Sequence, residues 1–263
     1  MPNIEKHSPG SFCWIELGTT DQEAAKTFYS SLFAWQASDN PMGPGEVYTI
    51  FQLEGREAAA AYTLRPDQRA QGVPSNWMLY VAVESADQAA SRAAELGGTV
   101  LAPAFDVSDF GRMAVLQDPA GAAFAVWQAK QHSGIGIAGV EGTLCWADLS
   151  TPDRDGVEAF YTGLFGWTIG KEDEEPAHAY WHIQSGEEFI GGIPPAAGRD
   201  PHAPPHWLLY FYVSDCDAVA AKARNLGAQL FMPPTSFEDV GRIAVLADPQ
   251  GAVFALFQAP PRS

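Results

Sequence analysis

Two short segments place a carboxylate two residues after a tryptophan: Cys13-Trp14-Ile15-Glu16-Leu17 and Cys145-Trp146-Ala147-Asp148-Leu149. The first alternates with the period of two of a half-buried strand, so Trp14 and Glu16 share one face while Ile15 and Leu17 take the other. A carboxylate held among rings is costly to bury unless something serves it with hydrogen bonds. It has two chemical uses there. It can orient the hydroxyl or amine of a bound molecule, or it can take a proton as a general base whose pKa the apolar surroundings raise. Glu16 and Asp148 are the candidates for both roles.

Other reactive side chains offer less. His7 and His132 fall in a tail and a Gly-rich linker, and His178, His182, His202 and His206 all belong to the second half. The first half is therefore expected to lack a core histidine. His182 and His206 can approach each other beside Asp148 as a metal site, or each can be simply hydrogen-bonded, which is the favoured reading. Arg112 and Arg242 follow glycines at strand starts; they hold a ligand's carboxylate or phosphate, or, as favoured, a neighbouring acid such as Asp109 or Asp239. Gly191 and Gly192 permit a close backbone approach or mark a strand bend. Cys13, Cys145 and Cys216 are an odd set without paired spacing, read as buried small hydrophobes in a reducing compartment. No P-loop, nucleophile elbow or H-E-x-x-H motif occurs.

The elements that must position these residues come in two sets. "CWIELGTTDQEAAKTFYSSLFAW" (13–35) matches "CWADLSTPDRDGVEAFYTGLFGW" (145–167) at an offset of 132, and "DFGRMAVLQDPAGAAFAVWQ" (109–128) matches "DVGRIAVLADPQGAVFALFQ" (239–258) at an offset of 130. Each half reads as strand, helix, several strands, then the same again. The first helix is expected to start at Thr20 with Glu23 in capping-box spacing, or at Thr151 before Pro152 in the second half. "WMLYVAV" is a strand, "SADQAASRAAELGG" a helix capped by Ser85 or Asp87, and "MAVLQDPAGAAFAVW" a hairpin across an Asp-Pro-x-Gly turn. Two domains follow, 11–129 and 142–259, joined by "KQHSGIGIAGVEG".

Composition narrows the partners. Fifteen Lys and Arg against 32 Asp and Glu give a net charge of −17 over 263 residues. Such a field repels phosphate backbones and anionic headgroups, so neither nucleic acid nor membrane is an expected partner. No apolar run has the length of a membrane span, and "MPNIEKHSPGSF" lacks the core of a signal peptide. A soluble, cytoplasmic protein is expected, as a monomer or homodimer.

A strand–helix–three-strand unit used twice per half, with "FYSSLFAW" and "FYTGLFGW" in its first helix and "DPAGAAFAVW" and "DPQGAVFALF" in its last hairpin, resembles the vicinal oxygen chelate superfamily. Its members include glyoxalase I, bleomycin-resistance proteins, fosfomycin-resistance enzymes and extradiol dioxygenases. The pattern "GRxAVLxDPxGAxFAL" is similar to two-domain actinobacterial members labelled glyoxalase-like or hydroxylase. The resemblance implies an α+β fold: two tandem domains, each of paired βαβββ units forming a cup-shaped mixed sheet with helices on the convex face. It also implies where a divalent metal would be held. The first-strand ligand falls on Trp14 and Trp146, the middle-strand ligand near Met78 and Leu208, and the last-strand Glu on Ala125 and Ala255. None of these six side chains holds a hard or borderline cation, so no metal or other cofactor is expected.

With those positions facing the cup, strand parity supplies the remaining lining. The expected ligand-binding residues are Trp14, Glu16, Tyr80 and Trp127 in the first domain, and Trp146, Asp148, His206 and Tyr210 in the second. The leading expectation is a metal-free protein that binds a hydrophobic or aromatic small molecule, as antibiotic-sequestering or resistance members do. One alternative is a glyoxalase-like lyase, or a hydroxylase or dioxygenase, with a displaced or absent metal site. Another is a structural or interaction module with filled cups.

Overall fold

In a computed structural model, residues 4–171, 180–196 and 199–260 are described. The first half runs β1 (Phe12–Thr19), α1 (Gln22–Phe33), β2 (Gln36–Gly43), β3 (Glu46–Leu53), β4 (Arg56–Thr63), α2 (Pro66–Ala70), β5 (Asn76–Ala82), α3 (Ala86–Glu95), β6 (Thr99–Val107), β7 (Gly111–Gln117) and β8 (Ala123–Ala129). The second runs β9 (Leu144–Ser150), α4 (Arg154–Phe165), β10 (Thr168–Lys171), β11 (Trp181–Ser185), β12 (Glu188–Ile193), β13 (His206–Tyr212), α5 (Cys216–Asn225), β14 (Gln229–Phe237), β15 (Gly241–Ala247) and β16 (Val253–Gln258). Each half closes its own eight-stranded mixed sheet, in the orders β2-β3-β4-β1-β5-β8-β7-β6 and β10-β11-β12-β9-β13-β16-β15-β14. The expected α+β architecture is present twice.

Helix starts differ from expectation by a residue or two. Asp21, not Thr20, caps α1 by accepting the Ala24 N–H, and Asp153, not Thr151, caps α4 by accepting from Gly156. The threonines act one step earlier: the hydroxyls of Thr19 and Thr151 accept the backbone N–H of the capping aspartates. A carboxylate serves the open N–H groups better than a hydroxyl because it favours the positive end of the helix. Ser85 caps α3, as expected.

The two faces of each sheet differ in exposure. On one, Ile15, Leu17, Leu79, Val81, Phe124 and Val126 are all buried. They pack against helices, but not only those of their own half. Phe124 meets Phe160 and Tyr161 of α4, while Phe33 of α1 stacks on Phe211 of β13 at 5.0 Å. One apolar core therefore spans both repeats. On the other face Glu16, Met78, Tyr48, Ile50, Tyr62, Met113 and Val115 are half-buried. Trp14, Tyr80, Ala125 and Trp127 on that same face are buried, so the inner surface is a partly packed, largely apolar layer.

The Asp-Pro-x-Gly turns fasten the halves together. Asp118 accepts the N–H groups of Ala120, Gly121 and Ala122 within its own turn and the Tyr161 hydroxyl from the other repeat. Asp248 does the same with Gln250, Ala252 and Tyr29. The linker also inserts between β1 and β4, where Ile135 N–H donates to Cys13 and Gly136 N–H to Glu57.

Candidate functional site

In the first cup the centre is Glu16, on β1 opposite Met78 of β5 and beside Ala60 of β4. One carboxylate oxygen accepts the Tyr48 hydroxyl at 2.6 Å and the other the Tyr80 hydroxyl at 3.0 Å. Trp14 Nε1 donates to the Tyr48 oxygen at 3.0 Å, making an indole–phenol–carboxylate chain. Burial pushes the Glu16 carboxyl above its ordinary range, and the two phenols pull it partly back. The phenols are raised well above theirs by burial and by the facing carboxylate, so they remain donors.

The second cup repeats the arrangement with a shorter acid. Asp148, 5% exposed, accepts from the hydroxyls of Tyr180 and Tyr210 and directly from Trp146 Nε1 at 3.0 Å. Trp146 Nε1 also lies 2.8 Å from the Tyr180 oxygen. Burial raises Asp148 to about 6, against the hydrogen bonds that lower it. Gly192, next to Asp148 in register, makes the approach possible: a Cβ there would sit 2.2 Å from the Tyr180 ring. The expected backbone approach at this glycine admits a side chain of the protein's own.

Of the expected residues, Trp14, Glu16 and Tyr80 converge in one cup, and Trp146, Asp148 and Tyr210 in the other. Trp127 does not reach Glu16; its indole donates to the backbone oxygen of His132. His206 stands at the start of β13, opposite Ser150, with Nδ1 2.8 Å from the Pro204 oxygen. Among the described residues it makes no hydrogen bond to the Asp148 cluster. His182 packs its ring beside Trp146, Tyr180 and Phe189. His178 lies outside the described residues. Arg112 and Arg242 are ion-paired, as favoured, but to Asp87 and Asp217, because the helix that precedes each strand lies closer than the turn acids. Burial pushes the thiols of Cys13 and Cys145 up, the latter to about 12, which suits packing rather than nucleophilic use.

Three residues escaped the sequence reading. Tyr48 and Tyr180, the second phenol of each cluster, are related by the same offset of 132 as the opening strands, and that match was the available signal. His132 corrects the expectation that the first half lacks an internal histidine. The linker folds back and sets its ring 4.6 Å from Trp14 and 5.9 Å from Trp127, with Nε2 2.6 Å from Glu57. Composition cannot reveal a linker that becomes part of a wall.

Two domain-length matches decide the family: the model for the glyoxalase-like domain covers residues 14–127 and again 146–257. The chain belongs to the glyoxalase-like domain family. Among relatives of this family, "Putative glyoxylase CFP32" of Mycobacterium tuberculosis is 41% identical over the full length of both chains. "Anthracycline biosynthesis protein DnrV" of Streptomyces peucetius is 34% identical, over 97% of this chain and 95% of its own. Solved structures share the fold at low identity. The Mn(II)-bound glyoxalase of Novosphingobium aromaticivorans has a TM-score of 0.65 at 14% identity, covering 98% of this chain and 83% of that one. The 2,3-dioxygenase LapB of Pseudomonas sp. KL28 has a TM-score of 0.63 at 13% identity, over 98% and 93%.

The side chains of this glyoxalase-like protein do not fit a divalent ion at the positions the fold implies. An indole N–H is a donor without a free lone pair, alanine offers nothing, and thioether is a poor ligand for such cations. Each cup has one carboxylate in its central cluster, already accepting two phenol hydroxyls. Among the described residues no three His, Cys, Asp or Glu side chains converge on a common point. No described helix is long and apolar enough to cross a membrane.

Proposed function

We propose that this glyoxalase-like protein binds planar, hydrophobic aromatic small molecules in its cups without a resident metal, and sequesters them. The observation that carries the reading is the repeated cluster of one carboxyl, two phenols and one indole, set in a half-exposed wall of Met, Ile, Val and aromatic side chains. Apolar walls with a few fixed polar groups are the composition of a small-molecule site. The half-buried rings of Tyr48, Tyr62, Trp146 and Tyr180 offer stacking edges, and the carboxyl fixes orientation. The relative named for anthracycline biosynthesis favours a fused aromatic ligand. The net charge of −17 disfavours anionic ligands and nucleic acid alike. The protein works in this reading in the cytoplasm, as a monomer or homodimer.

Titration with uncharged fused aromatics tests it. Saturable quenching of tryptophan fluorescence is expected, and Tyr80→Phe and Tyr210→Phe each weaken binding by a few-fold, as the loss of one neutral hydrogen bond does. Flat titrations across a panel of such compounds reject the reading. Ligand binding that requires a stoichiometric metal rejects its metal-free part.

A second reading has one observation in its favour. Burial raises Asp148 to about 6, which suits a general base working close to neutrality, and Tyr180 and Tyr210, which donate to it, hold its orientation. Exchange of a carbonyl-adjacent proton with solvent deuterium, lost in Asp148→Asn, distinguishes catalysis from binding alone.

A further inference from the structure

We propose that His132 and Glu57 form a second polar contact in the first cup, one that receives the hydroxyl of a planar aromatic ligand. The proposal rests on the binding role given above and names the chemistry its ligand must carry. A β-bulge in β4 creates the contact. In register, Ile50 faces Ala60 and Phe51 faces Ala59, but Gln52 then faces Glu57, so Ala58 is skipped. A skipped residue reverses the alternation, and Glu57 joins Tyr48, Ile50 and Gln52 on the inner face instead of entering the core. The linker completes the contact. Gly136 N–H is bound to the Glu57 backbone oxygen and Trp127 Nε1 to the His132 oxygen, which pins both ends of the loop around the ring.

The ring is then oriented. A carboxylate only accepts, so the 2.6 Å contact to Glu57 requires the proton on His132 Nε2. In the neutral ring Nδ1 is left as an acceptor. His132 stands edge-on to Trp14, whose indole leads through Tyr48 to Glu16. Trp14 is itself buried, and it joins two polar groups that a ligand in the cup can meet, the Glu16 cluster and the His132 acceptor. The second cup differs at this place. Its bulge puts Phe189 where the first has Glu57, facing Gln184, and Phe189 lies 5.1 Å from the His182 ring. The two cups therefore differ in the side chain that the bulge turns inward, a carboxylate in the first and a phenyl ring in the second.

The test compares a monohydroxyanthraquinone with its unsubstituted parent by tryptophan quenching, using the full-length protein and its Glu57→Gln and His132→Phe variants. Wild type is expected to bind the hydroxylated compound about tenfold more tightly, as one well-placed hydrogen bond allows. His132→Phe keeps the ring volume and brings the ratio of affinities to about one by weakening the hydroxylated compound more than its parent. Glu57→Gln, nearly isosteric, also lowers the ratio by freeing the ring's orientation. An unchanged ratio in both variants overturns the proposal and leaves the binding role standing. Equal loss for both compounds overturns it too, because the histidine would then serve packing alone. Quenching by neither compound overturns this proposal and the binding role together.

Discussion

Glu16 and Asp148 differ by one methylene, and that difference changes how each is served. The longer Glu16 meets its indole only through Tyr48, whereas Asp148 takes the Trp146 N–H directly and is deeply buried. Asp148 therefore couples folding to pH. An ordinary aspartate titrates near 4, and Asp148 in the fold near 6. The folded state holds the proton more tightly than the unfolded chain. Its stabilising contribution is full below about pH 4 and is lost as pH rises through 6. Asp148→Asn cannot titrate. Relative to wild type, the variant should gain about 2–3 kcal/mol between pH 4 and 7.5 in urea unfolding experiments. A stability difference that does not move with pH contradicts this. At this scale the sequence was informative where spacing was local. Trp14, Glu16 and Tyr80 follow from strand parity, while Tyr48 and Tyr180 arrive from strands whose pairing no local pattern specifies. Trp127 and His206 were placed on the right strands, but their partners are a linker carbonyl and a local proline carbonyl.

Among elements, small residues decide what the strands and helices can bring together. Alanine at position 192 would press its Cβ against the hydroxyl end of Tyr180, so Gly192→Ala should displace that phenol from Asp148. The expected readout is weaker binding in the second cup with the overall fold intact by circular dichroism. Unaltered binding would mean that Tyr180 has no part in the site. Helix ends provide a second case. Both α1 and α4 finish in the left-handed region, at Ala34 with φ 58° and at Gly166 with φ 70°. Alanine is strained there and glycine is not. Ala34→Gly should raise stability by about 0.5–1 kcal/mol in denaturant melts, and destabilisation would show that the strain is relieved elsewhere. The succession of elements along the chain and the duplication were legible because hydrophobic period and turn chemistry are written locally. The bulge at Ala58 was not, since one extra residue in a strand leaves the composition unchanged.

The molecule as a whole is held by an exchange between its halves. Tyr29 reaches Asp248 at 3.0 Å and Tyr161 reaches Asp118 at 3.0 Å, while Trp77 and Trp207 donate to the same two phenols. Each repeat thus keeps a buried carboxyl with one oxygen served by its own turn and the other by the opposite repeat's tyrosine, and the linker that joins them closes a seam in the first sheet. One cooperative unfolding transition is expected for the full chain, with fluorescence and far-UV dichroism coincident. Tyr29→Phe or Tyr161→Phe should cost about 1–3 kcal/mol, since either leaves a buried carboxyl short of a donor. Two separate transitions would mean that the shared core is not a single energetic unit. The reciprocity is that of a two-fold pair. A half-length chain carrying one such tyrosine and one such aspartate would complete the same pair of contacts by meeting a second copy about a two-fold axis. Within one chain that meeting is permanent and the halves need not be identical, so a glutamate stands in one bowl at 57 and a phenylalanine in its sister at 189.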